Sequence, residues 1–206
     1  MQVIEGKDID LISPFPLRGV PNAVSWMHSF RTFIIEDGGP ATDEELGQHL
    51  QGWLGRSKSW AVIDKHNLTH SKSVDVPLVG LGIFDMISPS NGYIHVCSSR
   101  RAWGGLVEVD GTTQLVSKAN KDLPVLPGMI EQGGEIILKQ IFEDNPTLRR
   151  ISASIVSTNK ASIALALRLG FKKDGYFKEA IMQNNEPKDI IHLGLLRPQQ
   201  VKSAEA

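Results

Sequence analysis

The spacing of apolar residues in the first quarter of the chain predicts one strand followed by two helices. Residues 1–12 have the composition of a strand, and residues 23–36 mix aromatic and aliphatic side chains at roughly helical spacing. Thr42 and Glu45 have the spacing of a capping box, in which each side chain bonds the other residue's backbone N–H and so begins a helix. The apolar stripe of that second helix consists of Leu46, Leu50, Trp53 and Leu54.

The middle of the chain changes to strand-like segments bounded by turn residues. The predicted strands are Trp60–Ile63, Leu78–Phe84 and Tyr93–Cys97. Residues 106–126 have no clean periodicity, and we interpret them as an insertion.

The last third has the clearest pattern. Apolar residues recur on one face of a predicted helix that ends at residues 143–146, and residues 150–157 alternate as in a strand. Asn159 begins another helix, and Gly170 ends it in the position that favours a left-handed backbone. The remaining predicted strands are Tyr176–Met182 and Ile190–Leu196. This order predicts an α/β (α+β) fold, in which a mixed sheet carries helices on its faces.

Composition limits the class of protein. The 206 residues include 22 basic and 23 acidic side chains, a formal net charge of −1, which disfavours a charge-driven nucleic-acid binder. Cys97 is the only cysteine, so an internal disulfide and a multi-cysteine zinc site are excluded, and the histidines lack metal-ligand spacing. No membrane segment or signal peptide is recognisable. We expect a cytoplasmic protein with one domain over residues 1–197, the insertion 106–126, a flexible tail at 198–206 and no metal.

A motif in the last third carries a family resemblance. The segment STNKASIALALRLGFKKDG, residues 157–175, resembles the signature N-x-x-[AS]-x-x-L-x-x-[KR]-x-GF-x-x-x-G of the GCN5-related N-acetyltransferase (GNAT) superfamily. The downstream NNEPKDIIHLGLLR resembles the ending of the ribosomal-protein alanine acetyltransferase branch. The resemblance implies a mostly antiparallel sheet with two splayed parallel strands in its middle, here Tyr93–Ser98 and Ile151–Val156.

The resemblance also implies acetyl-CoA as cofactor. In the family it lies between the splayed strands, where its amides satisfy unpaired backbone groups, and its pyrophosphate lies at a helix N-terminus. The family's phosphate loop is interrupted here, because the insertion separates Arg101 and Gly104 from Gly128. The cofactor-binding residues that the resemblance implies are Val96, Cys97, Ser98, Arg101, Gly104, Gly128, Asn159, Ser162 and Arg168.

The implied reaction is direct attack of an amine on the thioester, which needs a base, oxyanion donors and an acid. The family's usual acid, a tyrosine, is replaced by Ala166. The candidate catalytic residues are His95 as base, Cys97 near the sulfur and Asn159 on the cofactor or an ordered water. Each residue also has a structural interpretation. His95 can be a hydrogen-bonded strand residue, Cys97 a small buried apolar side chain, and Asn159 a helix N-cap.

Three functions remain open from the sequence. The first is an N-acetyltransferase whose acceptor is a protein N-terminus, a lysine or a small amine. The second is a GNAT-fold binding or structural protein without catalysis, for example a phage- or particle-associated one, which Ala166 and the interrupted phosphate loop motivate. The third, an acetyltransferase acting on charged tRNA, is disfavoured because tRNA binding usually needs a basic face. A homodimer is left open.

Overall fold

A computed structural model describes residues 1–29, 39–40, 42–65, 78–98, 106–109, 112–115 and 128–198. Four α-helices and ten strands lie within these ranges. The helices are α1 (Val20–Ser29), α2 (Asp43–Leu54), α3 (Met129–Asp144) and α4 (Lys160–Arg168). The strands are β1 (Gln2–Glu5), β2 (Ile9–Ser13), β3 (Lys58–Asp64), β4 (Leu78–Ser88), β5 (Asn91–Ser98), β6 (Leu106–Val109), β7 (Thr112–Leu115), β8 (Arg150–Val156), β9 (Lys172–Gln183) and β10 (Glu186–Leu196).

Eight of these strands form one sheet in the order β1-β2-β3-β4-β5-β8-β10-β9. Neighbouring strands are antiparallel except β5 and β8, which are parallel. The predicted mixed, mostly antiparallel sheet with flanking helices is therefore confirmed.

The sheet separates two apolar clusters, because side chains alternate between its faces along each strand. On β3, Trp60 and Val62 face α3 and α4, whereas Ala61 and Ile63 face α1 and α2. Ile137 and Ile141 of α3 lie in the first cluster, and Leu50 of α2 lies in the second. Each face therefore has its own helical layer and its own core.

Two helix boundaries follow from local sequence, as predicted. The Thr42 hydroxyl accepts a hydrogen bond from the Glu45 N–H at 3.2 Å, and the Glu45 carboxylate accepts one from the Thr42 N–H at 3.1 Å. This capping box begins α2. Gly170 follows the C-cap of α4 with φ of +89°, a conformation that costs glycine little.

One part of the sheet differs from the prediction. Residues 1–12 form the antiparallel pair β1 and β2 rather than one strand, because Gly6 turns the chain and its N–H donates to the Ile9 carbonyl at 2.8 Å. Residues 106–126, which we interpret as an insertion, contain the separate antiparallel pair β6 and β7. Residues 116–127 and the predicted tail from residue 199 onward lie outside the described part of the chain.

Glycines on β4 let α3 lie close to the sheet. A Cβ atom on Gly80 would be 2.8 Å from Cδ1 of Ile130 and 3.2 Å from Cγ2 of Val62. On α3 itself, a Cβ atom on Gly133 would be 3.2 Å from Val62 and one on Gly134 would be 2.7 Å from Leu169. These glycines therefore allow close packing of α3 on the sheet, and the contact sets the wall of the cleft described below.

We expect Gly80→Val to lower the free energy of unfolding by about 1–3 kcal/mol, because the new side chain overpacks the contact between β4 and α3. Gly52→Val is the matched control, since a Cβ atom at this exposed α2 position meets nothing within 4 Å. Urea denaturation of both variants measures the difference. Equal stability of the two variants would contradict the close approach of α3.

Candidate active site

The two parallel strands in the middle of the sheet separate after a short paired segment. β5 and β8 pair at Asn91 with Arg150, at Gly92 with Ile151 and at Tyr93 with Ser152. Beyond Tyr93 and Ser152, the described residues of the two strands make no further pair with each other. β5 stays paired with β4 as far as Ser98, and β8 stays paired with β10 as far as Val156. The splay that the resemblance implied is thus present.

The gap between these strands opens into a cleft of about 540 Å³. Its walls come from both helical layers and are mainly apolar, with Leu50 and Trp53 of α2 on one side and Ile137 and Leu165 of α3 and α4 on the other. The polar side chains of the strands and helices that line it are His49, His95, Ser154, Asn159, Ser162 and Gln183. The cleft therefore reaches both faces of the sheet through the splay.

His95 stands at this gap beside a carboxylate. Its Nε2 lies 3.6 Å from Oδ2 of Asp85 on the neighbouring β4. Asp85 is held by two donors, the Trp53 Nε1–H at 2.8 Å and the Ser57 hydroxyl. The edge of the Trp53 ring also packs against His95, with 4.5 Å between ring centroids. The end of α2 and the loop after it thereby fix the carboxylate that faces His95.

Burial lowers the pKa of His95 below its ordinary value, and the nearby Asp85 charge offsets part of that effect by raising it. The imidazole is consequently neutral at physiological pH and able to accept a proton. Asp85 can stabilise the imidazolium that forms. The pair thus has the arrangement of a general base and the group that orients it.

A second polar cluster lies on the same face of the sheet. The Tyr93 hydroxyl is 3.1 Å from Nδ1 of His192, and the Ser154 hydroxyl is also 3.1 Å from that nitrogen. The Tyr93 and Ser154 oxygens are 3.4 Å apart. We refer to Tyr93, Ser154 and His192 as the hydroxyl–imidazole cluster.

The strand residues predicted to bind cofactor have different environments. Cys97 is buried and lines the cleft, and burial raises the pKa of its thiol to about 12, so the group keeps its proton. Val96 is 41% exposed and also lines the cleft. The Ser98 hydroxyl is fully buried, and within the described residues it has no hydrogen-bond partner.

Of the helix residues predicted to bind cofactor, Asn159 and Gly128 are N-cap residues, and Arg168 forms an ion pair. Asn159 caps α4, since its Oδ1 accepts the Ser162 N–H at 3.2 Å, and both residues line the cleft. Gly128 precedes α3 with φ of +93° and open space where a Cβ would stand. Arg168 is half-exposed and bonds Glu131 through its Nε at 2.7 Å.

The cleft brings together His95, Val96, Cys97, Asn159 and Ser162, whereas Ser98, Gly128 and Arg168 lie outside its lining. Arg101 and Gly104 lie outside the described residues. Ala166, at the position of the family's tyrosine, is buried in the cleft wall.

Sequence reasoning gave no role in the site to five side chains that lie near the splay. The alternation of side chains along a strand already places Tyr93 on the same face as His95. The missed residues are Trp53, Asp85, Tyr93, Ser154 and His192.

Two features are absent from the described residues. No three His, Cys, Asp or Glu side chains lie close enough together to hold a metal ion in that part of the chain. Among the helices described above, none has the length and apolar character needed to cross a membrane.

Comparison with known proteins gives a family match and a set of similar folds. Residues 133–192 match the family model described as an acetyltransferase (GNAT) domain. An acetyltransferase of the GNAT family from Bacillus anthracis has a TM-score of 0.63 at 18% identity, covering 95% of this chain and 98% of that one. RimL, a ribosomal L7/L12 alpha-N-protein acetyltransferase in complex with coenzyme A, has a TM-score of 0.64 at 16% identity, with 95% and 98% coverage.

Ribosomal-protein-S5-alanine acetyltransferase from Vibrio fischeri has a TM-score of 0.59 at 15% identity, with 96% and 100% coverage. Among curated proteins, no sequence match is found. The architecture is therefore that of the N-acetyltransferases. Residues 133–192, which contain the Asn159–Gly175 motif, match the GNAT domain, and the resemblance seen in the sequence is confirmed over that part of the chain.

Asp85→Asn should lower the pKa of His95 further, because the substitution removes the charge that raises it and leaves the effect of burial. Ser57→Ala is the control, since it removes a hydrogen bond to Asp85 but keeps the carboxylate. Titration of the imidazole signals by NMR measures both variants. A His95 pKa that is the same in Asp85→Asn and the wild-type protein would show that the two groups are not coupled.

Proposed function

We propose that the protein is an acetyl-CoA-dependent N-acetyltransferase that transfers an acetyl group to an amine by direct attack on the thioester. The observation that carries this proposal is the parting of β5 and β8 just before His95 and Ser154, onto an apolar cleft. A base in its neutral form at the opening of such a cleft has the position that amine acylation needs. Transfer within the cytoplasm is part of the proposal.

The residues present fit the cofactor. The splayed edges of β5 and β8 carry backbone groups without a partner across the gap, and buried groups of this kind need hydrogen bonds. The buried Ser98 hydroxyl, at the end of β5, is also unpaired within the described residues. The open space at Gly128 gives an anion access to the first N–H groups of α3. Acetyl-CoA supplies an activated acetyl group when bound.

The chain's own residues would handle protons and charge. His95 takes a proton from the acceptor ammonium, and Asp85 stabilises the resulting imidazolium across 3.6 Å. Those β5 N–H groups that face the gap can donate hydrogen bonds to developing negative charge. The edge of the Trp53 ring packs against His95, and 43% of the histidine side chain stays exposed, so an acceptor can reach it.

Ala166 favours a second candidate, a GNAT-fold protein that binds a ligand or partner without catalysis. Family members usually carry a tyrosine that acts as the acid at this position. Here the position holds an alanine that is buried in the cleft wall and has no proton to donate. Such a protein could bind acetyl-CoA and still transfer nothing, so binding and turnover must be measured separately.

Calorimetric titration should give one-to-one binding of acetyl-CoA at micromolar concentration, with free CoA as comparison. His95→Gln should keep that affinity while lowering kcat about 10²- to 10⁴-fold for the best acceptor in a panel of peptides and small amines, because the variant lacks the base. No binding at millimolar acetyl-CoA would overturn the proposal. Binding without turnover of any amine would favour the second candidate.

Asn159→Ser separates the capping role of Asn159 from a cofactor role, because serine is also a good N-cap but lacks the amide. We expect this variant to unfold like the wild-type protein and to bind acetyl-CoA more weakly. Asn159→Ala should lose about 1 kcal/mol of stability in addition. Unchanged affinity of Asn159→Ser for acetyl-CoA would leave Asn159 as a cap alone.

A further inference from the structure

His95 and Ser154 occupy matching places on opposite sides of the splay. The last parallel pair joins Tyr93 and Ser152, and residues two positions apart on a strand share a face. His95 and Ser154 are therefore the next residues on that face, one on each side of the gap. Both line the cleft. A molecule lying in the opening of the splay can touch both side chains at once.

Among the described residues, one hydroxyl proton of the hydroxyl–imidazole cluster has no good acceptor. When Nδ1 of His192 is unprotonated, its single lone pair is approached at 3.1 Å by both the Tyr93 and the Ser154 hydroxyls. Only one hydroxyl can donate to it well. The other would have to donate across the 3.4 Å between the two oxygens, which is longer than a good O–H···O bond.

The other tautomer of His192 also leaves one hydroxyl proton without a good acceptor among the described residues. If Nδ1 carries the proton, it donates to one hydroxyl oxygen, and the two hydroxyl protons then compete for the one long contact between Tyr93 and Ser154. Of the two hydroxyl residues, Ser154 is the one that lines the cleft. The edge of the Phe177 ring packs against His192 at a centroid distance of 6.3 Å and limits its rotation. The available donor is thus directed from Ser154 into the cleft.

We propose that Ser154 donates a hydrogen bond to an oxygen atom of the acceptor, while His95 takes the proton from its amine. Tyr93 and His192 are positioning residues that orient the Ser154 hydroxyl. Neighbouring strands are about 4.8 Å apart where they pair. His95 and Ser154 lie only two positions beyond the last pair, Tyr93 with Ser152, so the strands have separated little at this level and the amine and the oxygen lie a few bonds from each other. The acceptor class is an amine with a carbonyl group on the adjacent carbon. This inference rests on the proposed function.

The test compares two acceptors, alaninamide and isopropylamine, which share the amine and a methyl group but differ in the amide. The measured quantity is the ratio of kcat/KM for alaninamide to kcat/KM for isopropylamine. Ser154→Ala should lower this ratio about 3- to 10-fold relative to wild type, as expected for one hydrogen bond. Tyr93→Phe should lower it less, because Ser154 keeps its hydroxyl.

Ser152→Ala is the matched control. Ser152 lies on the same strand and face, but in the paired segment, where its hydroxyl contacts Arg150 and Asn91. This variant should keep the wild-type ratio. An equal ratio in Ser154→Ala and Ser152→Ala, with acetyl-CoA binding and isopropylamine turnover intact, would overturn the inference and leave the proposed function standing.

If the wild-type protein turns over neither amine, binding gives the answer. The ¹⁵N signals of the His192 imidazole should shift on addition of alaninamide to the acetyl-CoA-loaded protein and not on addition of isopropylamine. Equal shifts with both amines, or no shift with either, would overturn the inference. Loss of acetyl-CoA binding would instead be a failure of the proposed function.

Discussion

The short parallel pairing between β5 and β8 is the constraint on which the rest of the molecule depends. Three residue pairs join the strands, and the segments beyond them lie apart, each held on its outer side by β4 or β10. Backbone groups left unpaired inside a protein are costly. The sheet can keep this gap only because the outer pairings fix both strands and because the gap is accessible to ligand and solvent through the cleft.

The two helical layers place different groups beside the gap. On one face, α3 and α4 supply the apolar wall and the caps at Gly128 and Asn159, and glycines on β4 allow α3 to lie close to the sheet. On the other face, α2 begins at its capping box and ends near Trp53, whose indole N–H fixes Asp85. His95 and Asp85 therefore lie on one face, and the N-termini of α3 and α4 lie on the other.

Local signals predicted much of the fold. The capping box at Thr42, the end of α4 at Gly170 and the strand alternation from residue 150 onward all act within a few residues, so they are legible in sequence. The pairing of Tyr93 with His192, 99 positions apart, depends on sheet order and register, which no local pattern contains. The same reason hid the contact of Trp53 with Asp85. β1 and β2, by contrast, were predicted as one strand because the local turn at Gly6 was not recognised. His95 was accessible to prediction because the family resemblance identified its strand.

The separate cores on the two sheet faces have a consequence for how such a protein can change. The buried apolar residues of α1 and α2 belong to one cluster, and those of α3 and α4 belong to the other. Substitutions that share no packing partners tend to have additive effects on stability. The layer formed by α1 and α2 can therefore be rebuilt while the opposite layer retains its packing. One scaffold of this kind can acquire a new cleft wall by altering half of its interior.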